Sequence, residues 1–278
     1  MRIAAISHRA HLVLDDGAVD LEQASGGRFR SDLMEAIARA DEIAAFAAQS
    51  ELVGAPFDVS ELTCPVPRPS QVVAIGVNYA DHATEMGIDL APEPVVFTKF
   101  PTCIVGPNEV VTLPNNTVDW EVEMVLVMGR DAFQLTEEEA WDAVAFVTVG
   151  QDLSDRDLQF AAGRQFALGK SRPGFGPIGP WLVTPDSLPN RDDLQLTCSV
   201  DGEVVQDGRT SSMIRPVSTL LAEVTQYLEL RQGDVIFTGT PSGAGMGRTP
   251  QRYLLPHETL VSTIEGIGTI TTTFVDGR

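Results

Sequence analysis

From residue 72 onward the apolar positions come in short runs separated by Gly, Pro and Asn, a punctuation that predicts strands more than helices. Residues 72–77, 95–98, 121–128, 145–149, 194–200, 235–238, 260–264 and 269–274 all read as strands, because Val, Ile, Thr and Phe dominate them. Helical spacing is scarcer. Ser31 is placed to cap a helix through about Ala48, with Leu33, Ile37 and Ile43 on its apolar stripe. Thr136 and Glu139 have capping-box spacing ahead of Ala140 and Trp141, and residues 216–230 form an amphipathic run. Before these, residues 2–14 suggest two short strands followed by the turn Asp15-Asp16-Gly17. Prolines at alternate positions, Pro65, Pro67 and Pro69, favour extended chain and mark a boundary. The expected organisation is a small N-terminal α+β domain over residues 1–66 and a larger domain over residues 67–278. The larger domain is mixed α/β and β-rich, without the regular alternation of a βαβ protein.

One predicted strand carries an anomaly. In D-W-E-V-E-M-V-L-V-M-G, Asp119–Gly129, side chains alternate faces, so Glu121 and Glu123 point the same way, about 7 Å apart by strand geometry. Val125 and Val127 continue that face, while Val122, Met124, Leu126 and Met128 line the other, the pattern of a strand buried on both sides. Buried carboxylates must protonate, pair with cations or hold a metal ion. A second acidic element, V-T-V-G-Q-D, ends a strand on Asp152. Three carboxylates together would suit Mg²⁺ or Mn²⁺, with Ca²⁺ as a further option, and would not suit structural zinc.

Composition narrows the classes. The 278 residues are 43% hydrophobic, enough for a large core, and carry a formal charge of −20, which argues against nucleic acid or an anionic membrane surface as partner. Three widely spaced cysteines, Cys64, Cys103 and Cys198, form no paired motif and fit a reducing cytoplasmic setting. No run of eighteen apolar residues predicts a membrane span.

Other side chains carry possible chemistry. His82 and Glu85, three apart in a short helical stretch ending at Gly87, share a face and form a candidate oriented general base. Lys170 follows an apolar stretch and could balance the acidic cluster or stabilise a developing enolate. The glycine-rich segment Gly233–Arg248 lacks both the phosphate-loop ending and the dinucleotide spacing. It reads instead as a loop whose amides could approach a substrate carboxylate, with Thr240 as a hydroxyl donor.

Taken together, G-V-N-Y-A-D-H-A-T-E-M, E-P-V-V-F-T-K-F-P-T, D-W-E-V-E-M-V-L-V-M-G, G-Q-D-L-S-D-R-D-L-Q and G-D-V-I-F-T-G-T-P-S-G-A-G resemble the fumarylacetoacetate hydrolase (FAH) family, in order, over about residues 70–275. The resemblance implies a mixed β-roll/β-sandwich catalytic domain, a homodimer, and a divalent ion held by Glu121, Glu123 and Asp152. It also implies that His82 and Glu85 activate water, that Lys170 stands beside the metal, and that Tyr79, Arg156, Gln159 and Thr240 hold substrate. Val77 stands where many members have Arg or Leu, and S-R-P-G-F at Ser171–Phe175 replaces the more usual S-x-D-T-F, so substrate identity is left open. The expected activity is metal-dependent hydrolysis of a carbon–carbon bond in a β-diketo acid such as an acylpyruvate. The alternatives are isomerisation or decarboxylation of a 2-oxo acid on the same site, or a non-catalytic Ca²⁺-stabilised protein.

Overall fold

In the computed structural model, residues 1–277 are described, apart from 162 and 164. The mixed α/β, β-rich architecture expected from the sequence is what forms. A ten-stranded sheet runs in the order Gly17–Asp20, Arg9–Leu14, Arg2–Ile6, Gly176–Val183, Val144–Gln151, Val122–Met128, Val235–Phe237, Val72–Gly76, Val95–Thr98, with Ile104–Val105 pairing off the path. A five-stranded sheet runs Glu203–Arg209, Gln195–Val200, Thr259–Ile264, Gly268–Asp276, Val110–Leu113. Strand Arg2–Ile6 pairs with Gly176–Val183, so the N-terminal residues extend the main sheet and share a hydrophobic core with it.

Strand Val122–Met128 sits near the middle of the large sheet and is buried throughout, as its two-sided apolar pattern predicts. Val122, Met124, Leu126 and Met128 join one core with Leu196, Cys198, Leu260 and Phe274 of the second sheet. Val125 and Val127 join another with Ile3, Leu12, Leu33 and Ile37. That the face of Glu121 and Glu123 continues as the second core explains why these carboxylates are buried.

The long N-terminal helix is two. Asp32, not Ser31, caps Leu33–Ala38 by accepting the Glu35 amide at 3.0 Å. The chain leaves helical geometry at Arg39 and resumes over Ala40–Gln49. The amphipathic run near residue 220 is helical only over Val217–Val224. Strand Gly176–Val183 eluded the sequence pattern because Gly and Pro interrupt it; here the register against Val144–Gln151 shifts between Val147 and Val149. Thr148 Oγ1 donates to the carbonyls of Gly179 and Trp181 at this irregularity. No helix among the described residues is long and apolar enough to cross a membrane.

Candidate metal centre and active-site cavity

Antiparallel pairing sets Glu123 beside Gly150 and Val122 beside Gln151, and the Asp152 amide donates to the Glu121 carbonyl at 2.9 Å. Register therefore decides the acidic cluster: Glu121, Glu123 and Asp152 are buried and offer oxygens within 4.8 Å of one another. As the strand begins, its amides leave the regular ladder. Gln151 Oε1 accepts from the Glu121 amide at 2.9 Å and Gln206 Oε1 from the Val122 amide at 3.0 Å, so two buried glutamines fix the backbone that carries the glutamates.

Cations brace most of the cluster. Lys170 Nζ donates to Glu121 and, at 2.8 Å, to Asp152 Oδ2. Lys99 Nζ donates to Asp152 Oδ1 at 2.7 Å, and also to the carbonyls of Lys170 and Phe175. Arg156 reaches Glu121 Oε1 at 2.7 Å and clasps Asp119 Oδ2 through Nε and Nη2, while its Nη1 donates to Gln159 at 2.9 Å. Asp119 in turn accepts the amides of Gly245 and Met246, tying the glycine-rich loop to the cluster.

Glu123 is different. Among the described residues its carboxylate makes no ion pair, and the single hydrogen bond to it comes from the Gly239 amide, at 2.7 Å. Burial, reinforced by the Asp152 and Glu121 carboxylates, pushes its pKa well above the usual carboxylate range. Burial acts in the same direction on Glu121, but Lys170 and Arg156 overcome it and pull the pKa down to about 2. Burial alone would lower Lys170, yet Asp152 and Glu121 raise its pKa above the ordinary lysine value, so the ammonium keeps its charge. A buried carboxylate lacking a cation, beside two others with hard oxygens, is a donor set that fits a divalent ion such as Mg²⁺ or Mn²⁺.

The cluster opens into a cavity of about 530 Å³, whose wall includes His82, Glu121, Glu123, Arg156, Gln159, Lys170 and Thr240. A hollow of about 590 Å³ beside Met1 and Asp15 shares no lining residue with it. His82 lies on helix Ala80–Met86, which stops at Gly87 in left-handed conformation, and its Nδ1 is 3.3 Å from Glu85 Oε2. Glu85 also accepts the Gly243 amide at 3.0 Å, and Ser242 donates to Asp81, so the loop holds this helix in place. Gly245 is required by crowding: a Cβ there would lie 1.7 Å from the Arg252 carbonyl oxygen.

The structure thus brings nine of the sequence-predicted residues into one neighbourhood: His82, Glu85, Glu121, Glu123, Asp152, Arg156, Gln159, Lys170 and Thr240. Thr240 donates its hydroxyl to the Val122 carbonyl and accepts from Gln206. Tyr79 is buried off the cavity lining, and its hydroxyl has no hydrogen-bond partner among the described residues. Four of the loop amides do not stand free for a substrate carboxylate, because Glu123, Glu85 and Asp119 take those of Gly239, Gly243, Gly245 and Met246. Sequence reasoning missed Lys99, Gln151, Gln206 and the structural role of Asp119. The one available signal for Lys99 was a lysine directly after a strand and before Phe-Pro.

Residues 71–275 match the family model described as fumarylacetoacetate (FAA) hydrolase C-terminal. The mitochondrial oxaloacetate tautomerase Fahd2a of Rattus norvegicus is 39% identical over 228 residues, which cover 81% of this chain and 72% of that protein. A solved Mycobacterium smegmatis chain, provisionally titled an HpcE protein, is 49% identical with TM-score 0.94, each chain covered at 100%. The fumarylacetoacetate hydrolase of Exiguobacterium antarcticum is 32% identical with TM-score 0.83, again with 100% of both chains covered.

Proposed function

The chain belongs to the fumarylacetoacetate hydrolase family, and from that premise we propose that it is an enzyme interconverting the enol and keto forms of 2-oxo acids. The observation that carries this reading is one cavity lined both by Glu121 and Glu123, which with Asp152 behind them form a divalent-cation donor set, and by a histidine oriented by a carboxylate. A relative named as an oxaloacetate tautomerase supports isomerisation ahead of hydrolysis.

When bound by those three carboxylates, Mg²⁺ or Mn²⁺ would supply a Lewis acid for the 2-oxo and carboxylate oxygens of the substrate. The chain's own residues do the rest. Lys170, kept protonated by Asp152 and Glu121, offers fixed positive charge where negative charge gathers on oxygen. Glu85 engages His82 Nδ1, leaving Nε2 to carry the proton. In ketonisation C3 gains a proton from His82 and the enol oxygen loses one, which restores His82 with no net change in atoms. Arg156, Gln159 and Thr240 line the wall and, with Tyr79, are the residues proposed to hold substrate.

The His82–Glu85 pair also favours a second reading, hydrolysis of an acylpyruvate, in which His82 would deprotonate water instead of moving a C3 proton. Ultraviolet absorbance of freshly dissolved enol-oxaloacetate and enol-phenylpyruvate, with Mg²⁺ or Mn²⁺, separates the two. Isomerisation predicts accelerated loss of at least one enol, and His82→Ala slows it by about 10²-fold or more. If neither enol is accelerated while an acylpyruvate yields pyruvate, hydrolysis takes its place. A homodimer is also proposed, from the family resemblance, and light scattering would read it.

A further inference from the structure

The cavity has two chemically unlike ends. At one end are the acidic cluster and both cationic side chains among the described lining residues, Arg156 and Lys170. Away from it runs a file of aromatic rings. Lys170 Nζ lies 5.4 Å from the Phe97 ring centroid, Phe97 meets Phe166 edge-on at 5.5 Å, and Phe166 meets Phe160 edge-on at 5.9 Å. Phe160 is 36% exposed, so the file leads from the reacting end to solvent. Phe97 and Phe166 are only half-buried, leaving apolar surface that none of the described residues covers completely.

Val77 lines the same cavity and is held there under strain. Its φ of 58° is left-handed, a region that a β-branched residue avoids. The next residue enforces it: Asn78 donates to the carbonyls of Arg215 and Thr238, and accepts the Arg215 amide on its side chain and the Ile214 amide on its backbone. Val95, paired through its neighbour Gly76, lines the same wall.

Neither cation is free to serve this end. Arg156 is committed to Asp119, Glu121 and Gln159, and Lys170 to Glu121 and Asp152. Among the described residues, a carboxylate placed among the rings would lose water without gaining a cationic partner. An aryl or branched alkyl group would bury apolar surface and make edge-to-face contacts. We propose that Phe97, Phe166, Phe160 and Val77 form the side-chain subsite of the substrate, selecting 2-oxo acids with an aryl or branched alkyl group on C3 over those with a carboxylate there. The reacting unit rests on the isomerase reading; the preference for an apolar tail stands on this wall.

Two measurements test it. The first compares kcat/KM for enol-phenylpyruvate and enol-oxaloacetate; the second compares calorimetric Kd values for the unreactive 2-hydroxy acids 3-phenyllactate and malate, in the Mg²⁺-loaded protein. The subsite predicts that the phenyl compound is preferred by about tenfold or more in both. Phe160→Ala, at the exposed rim where folding is safe, and Phe166→Ala lower the phenyllactate-to-malate affinity ratio. Val77→Arg, which removes the β-branch and so eases the backbone, turns the preference toward malate. Tighter binding of phenyllactate with no enol accelerated would uphold the subsite and sink the isomerase reading. Preference for the carboxylate compound, or a ratio unmoved by all three substitutions, overturns the subsite.

Discussion

Glu121 and Glu123 lie two residues apart on one face of one strand, yet their surroundings give them opposite proton affinities. Glu121 is wedged between Lys170 and Arg156 and stays ionised down to a pKa of about 2. Glu123 faces two carboxylates with one backbone amide for company, and its pKa is driven well above the usual range. In the cluster Lys99, Lys170 and Arg156 oppose four buried carboxylates, Asp119, Glu121, Glu123 and Asp152, leaving one negative charge unmatched. The braced half is architecture that holds its shape without help. The unbraced half is where the proposed divalent ion would have work to do, because there, among the described residues, the carboxylate has no cationic partner.

Breaking the unbraced half is expected to have the largest effect. Glu123→Gln removes a proposed metal ligand, and Mg²⁺ or Mn²⁺ affinity read by calorimetry should fall by more than the roughly 10- to 100-fold that loss of a ligand's supporting partner costs. The same substitution has a stability signature without metal. Because the folded-state pKa of Glu123 is raised, the folded protein holds more protons than the unfolded chain between the ordinary carboxylate pKa and the raised one. Stability from this group is therefore full below the unfolded pKa and declines as pH rises through that window. Urea unfolding of the metal-free protein across pH should show that decline shrinking in Glu123→Gln. Glu121 has the opposite sign: its contribution is present above the unfolded pKa and is lost as pH falls toward about 2. Metal binding by the wild type should release a proton and strengthen with pH, which titration in buffers of different ionisation heat would read.

Removing a brace comes next. Lys170→Met leaves Glu121 and Asp152 facing each other, and turnover at saturating metal should fall by about 10²- to 10³-fold. Denaturant unfolding should register a loss of about 3–5 kcal/mol in the metal-free protein, since this substitution breaks a buried pair from one side. The smallest of the three is Lys99→Met. Lys99 touches Asp152 from behind and also satisfies two carbonyls, so its loss costs about 10- to 100-fold in metal affinity by loosening that carboxylate. A Lys99 variant with wild-type metal affinity would show that Lys170 positions Asp152 unaided.

The primary structure contained the elements whose information is local. Two-sided apolar alternation over Val122–Met128 announced burial on both faces, and period-two geometry put Glu121 and Glu123 on one of them. Three-residue spacing on a helix ended by Gly87 paired His82 with Glu85, and Thr136 with Glu139 made its capping box. Residues with ordinary local context stayed hidden. Gln151, Gln206 and Lys99 look like surface polar residues in sequence, and each finds its partners only across the fold. Asp119 was visible as an acid, but its grip on Arg156 and on the Gly245 loop spans 37 and 126 positions.

Alternation and spacing along one segment thus determined which side chains could meet within it. Which carboxylate receives a cation and which is left without one was decided by strand register and by lysines arriving from distant segments, because charge neutralisation in a dry interior depends on distances of a few ångströms that no local pattern encodes.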